Sequence, residues 1–339
     1  MAWKVAVTAG VGAPGLEEEL LSAVGANVRR VSCWTESDLI AAAHDADATL
    51  AGPNEPYTRR VIEALARCRI ISRFGIGYDN IDIAAATRHG ICVAIVPDAS
   101  IEEVSDHALA LILACARRIV ALDHAVKSGL WQGVVSPQLM AIRRAIHPLR
   151  GQLLGIVGIG RIGAALARKA AALGLSVLSY DPYVSDEAAR LAGTEPVSFK
   201  HLLEQSDFVS LHLPLTKENA GLFGLEQFRL MKPGAFLINT SRGELIDEEA
   251  LLTALGEGAI AGAALDVISS EPPDPEDPLL KQPKVIVTAH SAWYSDESVV
   301  LIRRRAVEAV VQTLKGEWPR YMANPEVREM AATQKEEKR

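Results

Sequence analysis

Short apolar runs alternate with segments of helical period along almost the whole chain. Lys4–Thr8, Val28–Ser32, Ile70–Phe74 and Ile91–Ile95 read as strands, with helical patterns at Leu16–Val24 and Arg59–Ala66. Ile101–Gly129 then runs as one long helical pattern with acids Glu102, Glu103 and Asp106 at its start, where the macrodipole favours them, and a glycine stop. A second series follows. Gln152–Val157, Leu175–Tyr180, Phe208–Leu213, Ala235–Asn239, Ile260–Val267 and Val285–Thr288 are strand-like, and Ile162–Leu173 is helical. The strands are rich in Val, Ile, Leu and Ala rather than alternating with polar residues, as strands covered on both faces are. The pattern predicts an α/β protein with two doubly wound parallel sheets, divided near residue 100. A last helix, Ser295–Leu314, is free to return to the first sheet.

A length of 339 residues agrees with two domains, and 49% apolar with 23% charged residues is ordinary globular composition. A formal charge of −7 disfavours nucleic acid as a partner. Cys33, Cys68, Cys92 and Cys115 form no CxxC pair, so free thiols in a reducing, cytoplasmic setting are expected and no metal site is. The apolar run Ala108–Ala116 stops at Arg117 and Arg118, short of the roughly 20 residues a membrane span needs.

Two glycine motifs of the form GxGxxG follow predicted strands, at Gly10, Gly12 and Gly15 and at Gly158, Gly160 and Gly163. A diphosphate needs exposed amides at a helix N-terminus and no competing anion. After the first motif the helix opens on Glu17, Glu18 and Glu19, and Pro14 has no amide hydrogen, so this motif reads as a tight turn. After the second, Arg161 and Ile162 open a helix without early acids, and the next strand ends at Asp181, near the spacing of about 20 residues for a ribose-binding acid. An acid there accepts from both ribose hydroxyls and repels a 2′-phosphate, which favours NAD over NADP.

Three residues at predicted strand ends have the chemistry of hydride transfer from an alcohol. His290 follows Val285–Thr288 and is suited to move a hydroxyl proton. Glu271 follows Ile260–Val267 and could fix the tautomer of an imidazole. Arg242 follows Ala235–Asn239 and suits a planar carboxylate. Each also has a plain reading as a loop histidine, a turn acid and a surface cation. His107 and His124, on the long helix, read as packing or surface residues.

The strings ISRFGIGYDNID, GIVGIGRIG, HLPLT, NTSRGELIDEEAL, GAALDV with a later EP, and TAHSAWYS resemble the D-isomer-specific 2-hydroxyacid dehydrogenases, in that family's order. AWYS and YDPYVSD look most like the C-terminal binding protein branch, with phosphoglycerate dehydrogenases as the other near relatives. The resemblance implies a Rossmann NAD-binding domain (101–290) inserted into a flavodoxin-like substrate domain (1–100 and 291–325), followed by a tail (326–339). It implies Arg242, Glu271 and His290 as the catalytic trio. Ile76, Gly158, Gly160, Arg161, Ile162, Gly163, Asp181, His212, Leu213, Thr240, Ser241, Asp266, Ser291, Ala292 and Trp293 would line NAD, with Asp266 at the nicotinamide amide. Arg73, Gly75, Ile76, Gly77, Arg242 and Trp293 would hold the substrate, a small 2-hydroxy or 2-keto acid. A homodimer is implied as well. Ala289 stands where the family usually has Pro, and Val104 where it often has Thr. The other reading the resemblance allows is an NAD(H)-responsive binding protein.

Overall fold

The computed structural model describes residues 2–9, 15–131 and 136–330. The chain divides into two compact units, Met1–Ser100 with Ser295–Arg339, and Ile101–Tyr294. The second crossing therefore falls after Tyr294, four residues later than the sequence reading puts it.

The first unit contains β1 (Trp3–Val7), α1 (Leu16–Ser22), β2 (Ala26–Arg30), α2 (Glu36–Ala43), β3 (Ala48–Ala51), α3 (Arg59–Ala64), β4 (Ile70–Arg73), α4 (Ile83–Arg88) and β5 (Cys92–Ala94). The five strands pair in parallel in the order β2-β1-β3-β4-β5, the flavodoxin-like order. Strand β3 has no counterpart in the sequence reading: ATLA is short and half alanine, yet all four residues are buried. The first glycine motif lies outside the described residues except for Gly15. The acids after it do more than repel anions. Glu17 is fully buried, and its oxygens accept from Arg303 Nε and Nη2 at 2.6 Å each and from Arg30. Burial works to raise the Glu17 pKa, but the arginine hydrogen bonds outweigh it and hold the carboxyl below its ordinary value.

The second unit begins with α5 (Ile101–Ala116), α6 (Ile119–Lys127) and α7 (Pro137–Arg144). The expected single helix to Gly129 is thus broken. Arg118 takes a left-handed conformation (φ 53°) between the two helices, and its guanidinium lies 4.4 Å from the Phe236 ring centroid. Then follow β6 (Leu153–Val157), α8 (Arg161–Ala172), β7 (Ser176–Tyr180), α9 (Asp186–Leu191), β8 (Glu195–Pro196), α10 (Phe199–Gln205) and β9 (Phe208–Leu211). The unit closes with α11 (Leu225–Leu230), β10 (Phe236–Asn239), α12 (Glu248–Glu257), β11 (Gly262–Leu265), α13 (Pro278–Lys281) and β12 (Val285–Val287). Its seven parallel strands run β12-β11-β10-β9-β6-β7-β8, the Rossmann order with its direction change between β6 and β9. One apolar cluster, with Phe223, Phe228 and Leu251, covers one face of the sheet; another, with Ile112, Leu166 and Phe208, covers the other.

Helix α14 (Asp296–Leu314) packs back on the first unit, where Ser72 Oγ donates to Ala306 O at 2.8 Å. The chain beyond it also stays with that unit. Asn324 is buried and bonds Val93 N, Ile91 O and Thr87, and Val327 is fully buried. The expected tail from residue 326 therefore starts later, and residues 331–339 lie outside the described ones.

Candidate active site

The direction change between β6 and β9 leaves a crevice at the C-terminal strand ends, where ligands bind in open α/β sheets. Gly158 ends β6 with φ 95°, and a Cβ there would meet His212 O at 2.5 Å and Leu213 Cδ2 at 2.9 Å. Only glycine lets this turn press against the end of β9. Gly163 is equally constrained, since a Cβ would meet Gly158 O at 2.2 Å. Gly160 differs: nothing lies within 4 Å of an added Cβ. It is the N-cap of α8, with no side-chain cap and no acid in the first turn, so the helix start suits an anion. Asp181 closes β7 beside this turn; its Oδ2 accepts from Ile159 N at 3.0 Å and its Oδ1 from Tyr183 N at 2.9 Å.

Across the crevice, the β10 turn is built on Asn239. Its buried side chain donates to Arg242 O (2.7 Å) and accepts from Ser241 N (2.9 Å), while Ser241 Oγ donates to Leu211 O (2.7 Å). Sequence reasoning gave Asn239 no role. Its position at a buried strand end was the available signal. Thr240 Oγ1 is buried without a hydrogen-bond partner. An open glycine helix start and an orphaned buried hydroxyl fit a dinucleotide.

The three expected reacting groups belong to the second unit. Gly243 brings the turn carrying Arg242 against the strand β11 loop: a Cβ on it would sit 2.0 Å from Ile268 C. Ile268 N donates to Glu271 Oε1 at 3.2 Å, and Glu271 Oε2 lies 2.6 Å from His290 Nδ1. With Nδ1 on the carboxylate, Nε2 is the nitrogen left for proton transfer. His212, by contrast, is desolvated to a pKa of about 4 and bonds Ser210 Oγ at 2.9 Å, so it is neutral at ordinary pH.

The loop after His290 leads to Ser291, Ala292 and Trp293, whose ring packs edge-on to Tyr294 (centroids 5.6 Å, 72°). Asp266 sits beneath this loop, 2% exposed, and its carboxylate accepts from Ser291 N, Ala292 N and Thr288 Oγ1. The nicotinamide contact expected of Asp266 would thus be an addition to three bonds within the chain. Arg73 ends β4 in the first unit, and Gly75, Ile76 and Gly77 follow it. There Gly75 has φ 127° and its carbonyl accepts from Val96 N at 2.9 Å.

Residues 109–292 match the profile of the D-isomer specific 2-hydroxyacid dehydrogenase, NAD binding domain. The chain belongs to the D-isomer specific 2-hydroxyacid dehydrogenase family. It is 42% identical over 283 residues to a glyoxylate reductase of Korarchaeum cryptofilum, covering 84% of each chain. It is 42% identical over 256 residues to a D-3-phosphoglycerate dehydrogenase of Archaeoglobus fulgidus, covering 76% of this chain but 47% of that one. The fold is similar to the crystal structure of a glyoxylate reductase from Paecilomyes thermophila, with a TM-score of 0.84 and 28% identity over 96% of this chain and 99% of that one. This member of the dehydrogenase family is an NAD-dependent 2-hydroxyacid oxidoreductase. Among the described residues, no helix is long and apolar enough to cross a membrane.

Proposed function

We propose that the chain interconverts a small D-2-hydroxy acid and its 2-keto acid, with His290 as acid/base, Glu271 as its partner and Arg242 as the carboxylate clamp. The observation that carries this is the 2.6 Å contact between His290 Nδ1 and Glu271 Oε2 at the C-terminal end of the Rossmann sheet. Bound NAD supplies the hydride acceptor in oxidation and, when reduced, the hydride donor.

In oxidation, His290 Nε2 takes the hydroxyl proton as the substrate carbon gives up its hydride; in reduction the imidazolium returns it to the carbonyl oxygen. Glu271 holds Nδ1 protonated throughout, so the same ring face always meets the substrate, and its charge favours the imidazolium. Arg242 pairs with the substrate carboxylate and draws charge from the reacting oxygen. Trp293 walls the pocket. Gly160 with α8 holds the diphosphate, Asp181 the ribose, and Thr240, Ser241, Leu213 and Ile162 line the rest of the cofactor.

The names of the relatives favour catalysis over an NAD(H)-responsive binding role, and glyoxylate heads the substrates to try, followed by hydroxypyruvate and its phosphate. Exposed Ile119, Val120 and Val126 on α6 support a homodimer, to be checked by light scattering. The central test is His290→Ala, read by NADH absorbance and by NADH binding. Turnover should vanish while NADH still binds; normal turnover in the variant would refute the assignment.

A further inference from the structure

The steps above leave His107, Thr288 and the Asp266 carboxylate unused, yet these three groups form a chain that ends under the acid/base residue. His290 is held at φ 47°, a left-handed conformation that costs a residue with a Cβ about 1–3 kcal/mol and persists only where the surroundings impose it. The surroundings are hydrogen bonds. His290 N donates to Asp266 O at 2.8 Å and to Thr288 O at 3.1 Å. The Asp266 side chain then bridges the two flanks of His290: Oδ1 accepts from Thr288 Oγ1 at 2.5 Å and from Ser291 N at 3.0 Å, and Oδ2 from Ala292 N at 2.9 Å.

Hydrogen-bond capacity fixes the direction of the rest. The carboxylate can only accept, so the Thr288 hydroxyl proton is committed to Asp266. His107 Nε2 lies 3.0 Å from that hydroxyl oxygen and must therefore donate to it; the same nitrogen is 3.5 Å from Asp266 Oδ1. The chain runs His107 Nε2–H to Thr288 Oγ1–H to Asp266 Oδ1, each bond polarising the next. A pocket of about 340 Å³ adjoins the loop, with His107, Ser291 and Ala292 in its lining.

We propose that His107 and Thr288 are positioning residues for the reaction: through Asp266 they hold the His290 loop and so aim the imidazole at the reacting oxygen. The proposal rests on the reading of His290 as acid/base. It is tested with Thr288→Val, which keeps the shape and loses the hydroxyl, and with His107→Phe; Thr288→Ser and His107→Gln, which keep the donors, are the rescue variants. Thr288→Val, which loses a hydrogen bond to a carboxylate, should lower kcat about 10- to 100-fold; His107→Phe, which loses one to a hydroxyl, should lower it about 3- to 10-fold; and the rescue variants should stay within about twofold of the parent. The loss should fall mainly on kcat, with smaller changes in KM and NADH affinity.

A readout on the cofactor-free protein separates aim from chemistry: the rate at which diethyl pyrocarbonate modifies His290, followed by mass spectrometry. That rate should change several-fold in Thr288→Val and His107→Phe and not in the rescue variants. Parent-like kcat in Thr288→Val would overturn the proposal. So would equal losses in the valine and serine variants, or a kcat loss with an unchanged modification rate. Should His290→Ala retain turnover, the acid/base reading fails instead, and the modification rate still reports whether the loop is held as argued.

Discussion

Replacing Glu271 with Gln isolates what the carboxylate contributes to the His290 imidazolium. The two side chains are 2.6 Å apart but 36% and 42% exposed, so the full strength of a buried charged pair does not apply. A hydrogen bond to a charged group contributes about 1.5–3 kcal/mol; solvent screening at this exposure puts the pair near the low end, about 1.5–2 kcal/mol. Glu271 also accepts from Ile268 N at 3.2 Å through its other oxygen. A glutamine cannot serve both donors. With its oxygen toward His290, its NH2 faces the Ile268 N–H; with its oxygen toward Ile268, its NH2 faces Nδ1 and forces the proton to the wrong ring nitrogen. Either way kcat should fall about 10- to 30-fold, by the rule that about 1.4 kcal/mol is tenfold. The assay is steady-state reduction of the best 2-keto acid by NADH, paired with NADH binding by fluorescence. A variant with parent-like kcat, or one whose loss lies wholly in NADH affinity, would refute the reasoning.

Gly160→Ala should fold like the parent, because an added Cβ meets nothing within 4 Å, but bind NADH at least about tenfold more weakly because the methyl occupies the space the diphosphate needs. Gly163→Ala should lose stability as well, since its Cβ would lie 2.2 Å from Gly158 O; a melting curve beside the binding curve separates the two. Asp181→Ala should narrow the preference for NADH over NADPH, measured as a ratio of kcat/KM values. Arg303→Met should cost about 3–5 kcal/mol by leaving Glu17 buried without its main partner, read by chemical denaturation. The pH dependence of this pair has a definite sign. The Glu17 pKa is lower in the folded chain than in the unfolded one, so the pair's contribution is complete above the unfolded carboxylate range near pH 4.5. It is lost as pH falls through the folded value, and a Glu17→Met, Arg303→Met double variant should lack that acid-side loss.

The fold class was legible because buried parallel strands are short, aliphatic and regularly spaced, and the chain has many of them. Strand β3 escaped because alanine carries little strand signal; its place in the sheet comes from pairing with β1 and β4 on either side. The break at Arg118 escaped because the pattern records which residues are apolar, and the contact with Phe236 comes from a strand far along the chain. The second glycine motif and Asp181 were readable, since a strand, a tight turn and a helix are local. The importance of Gly243 was not, because its close neighbour is the backbone of Ile268.

The sequence by itself determined which residue types follow the strands: an imidazole, a carboxylate and a guanidinium, and a glycine turn before a helix. Only the tertiary structure decided how they are held. Which nitrogen of His290 faces Glu271, how Asp266 spans the loop, and what His107 on α5 bonds to are distances between residues far apart in the chain. Local pattern sets what a segment becomes, whereas these bonds exist only once separate segments have packed around a common sheet.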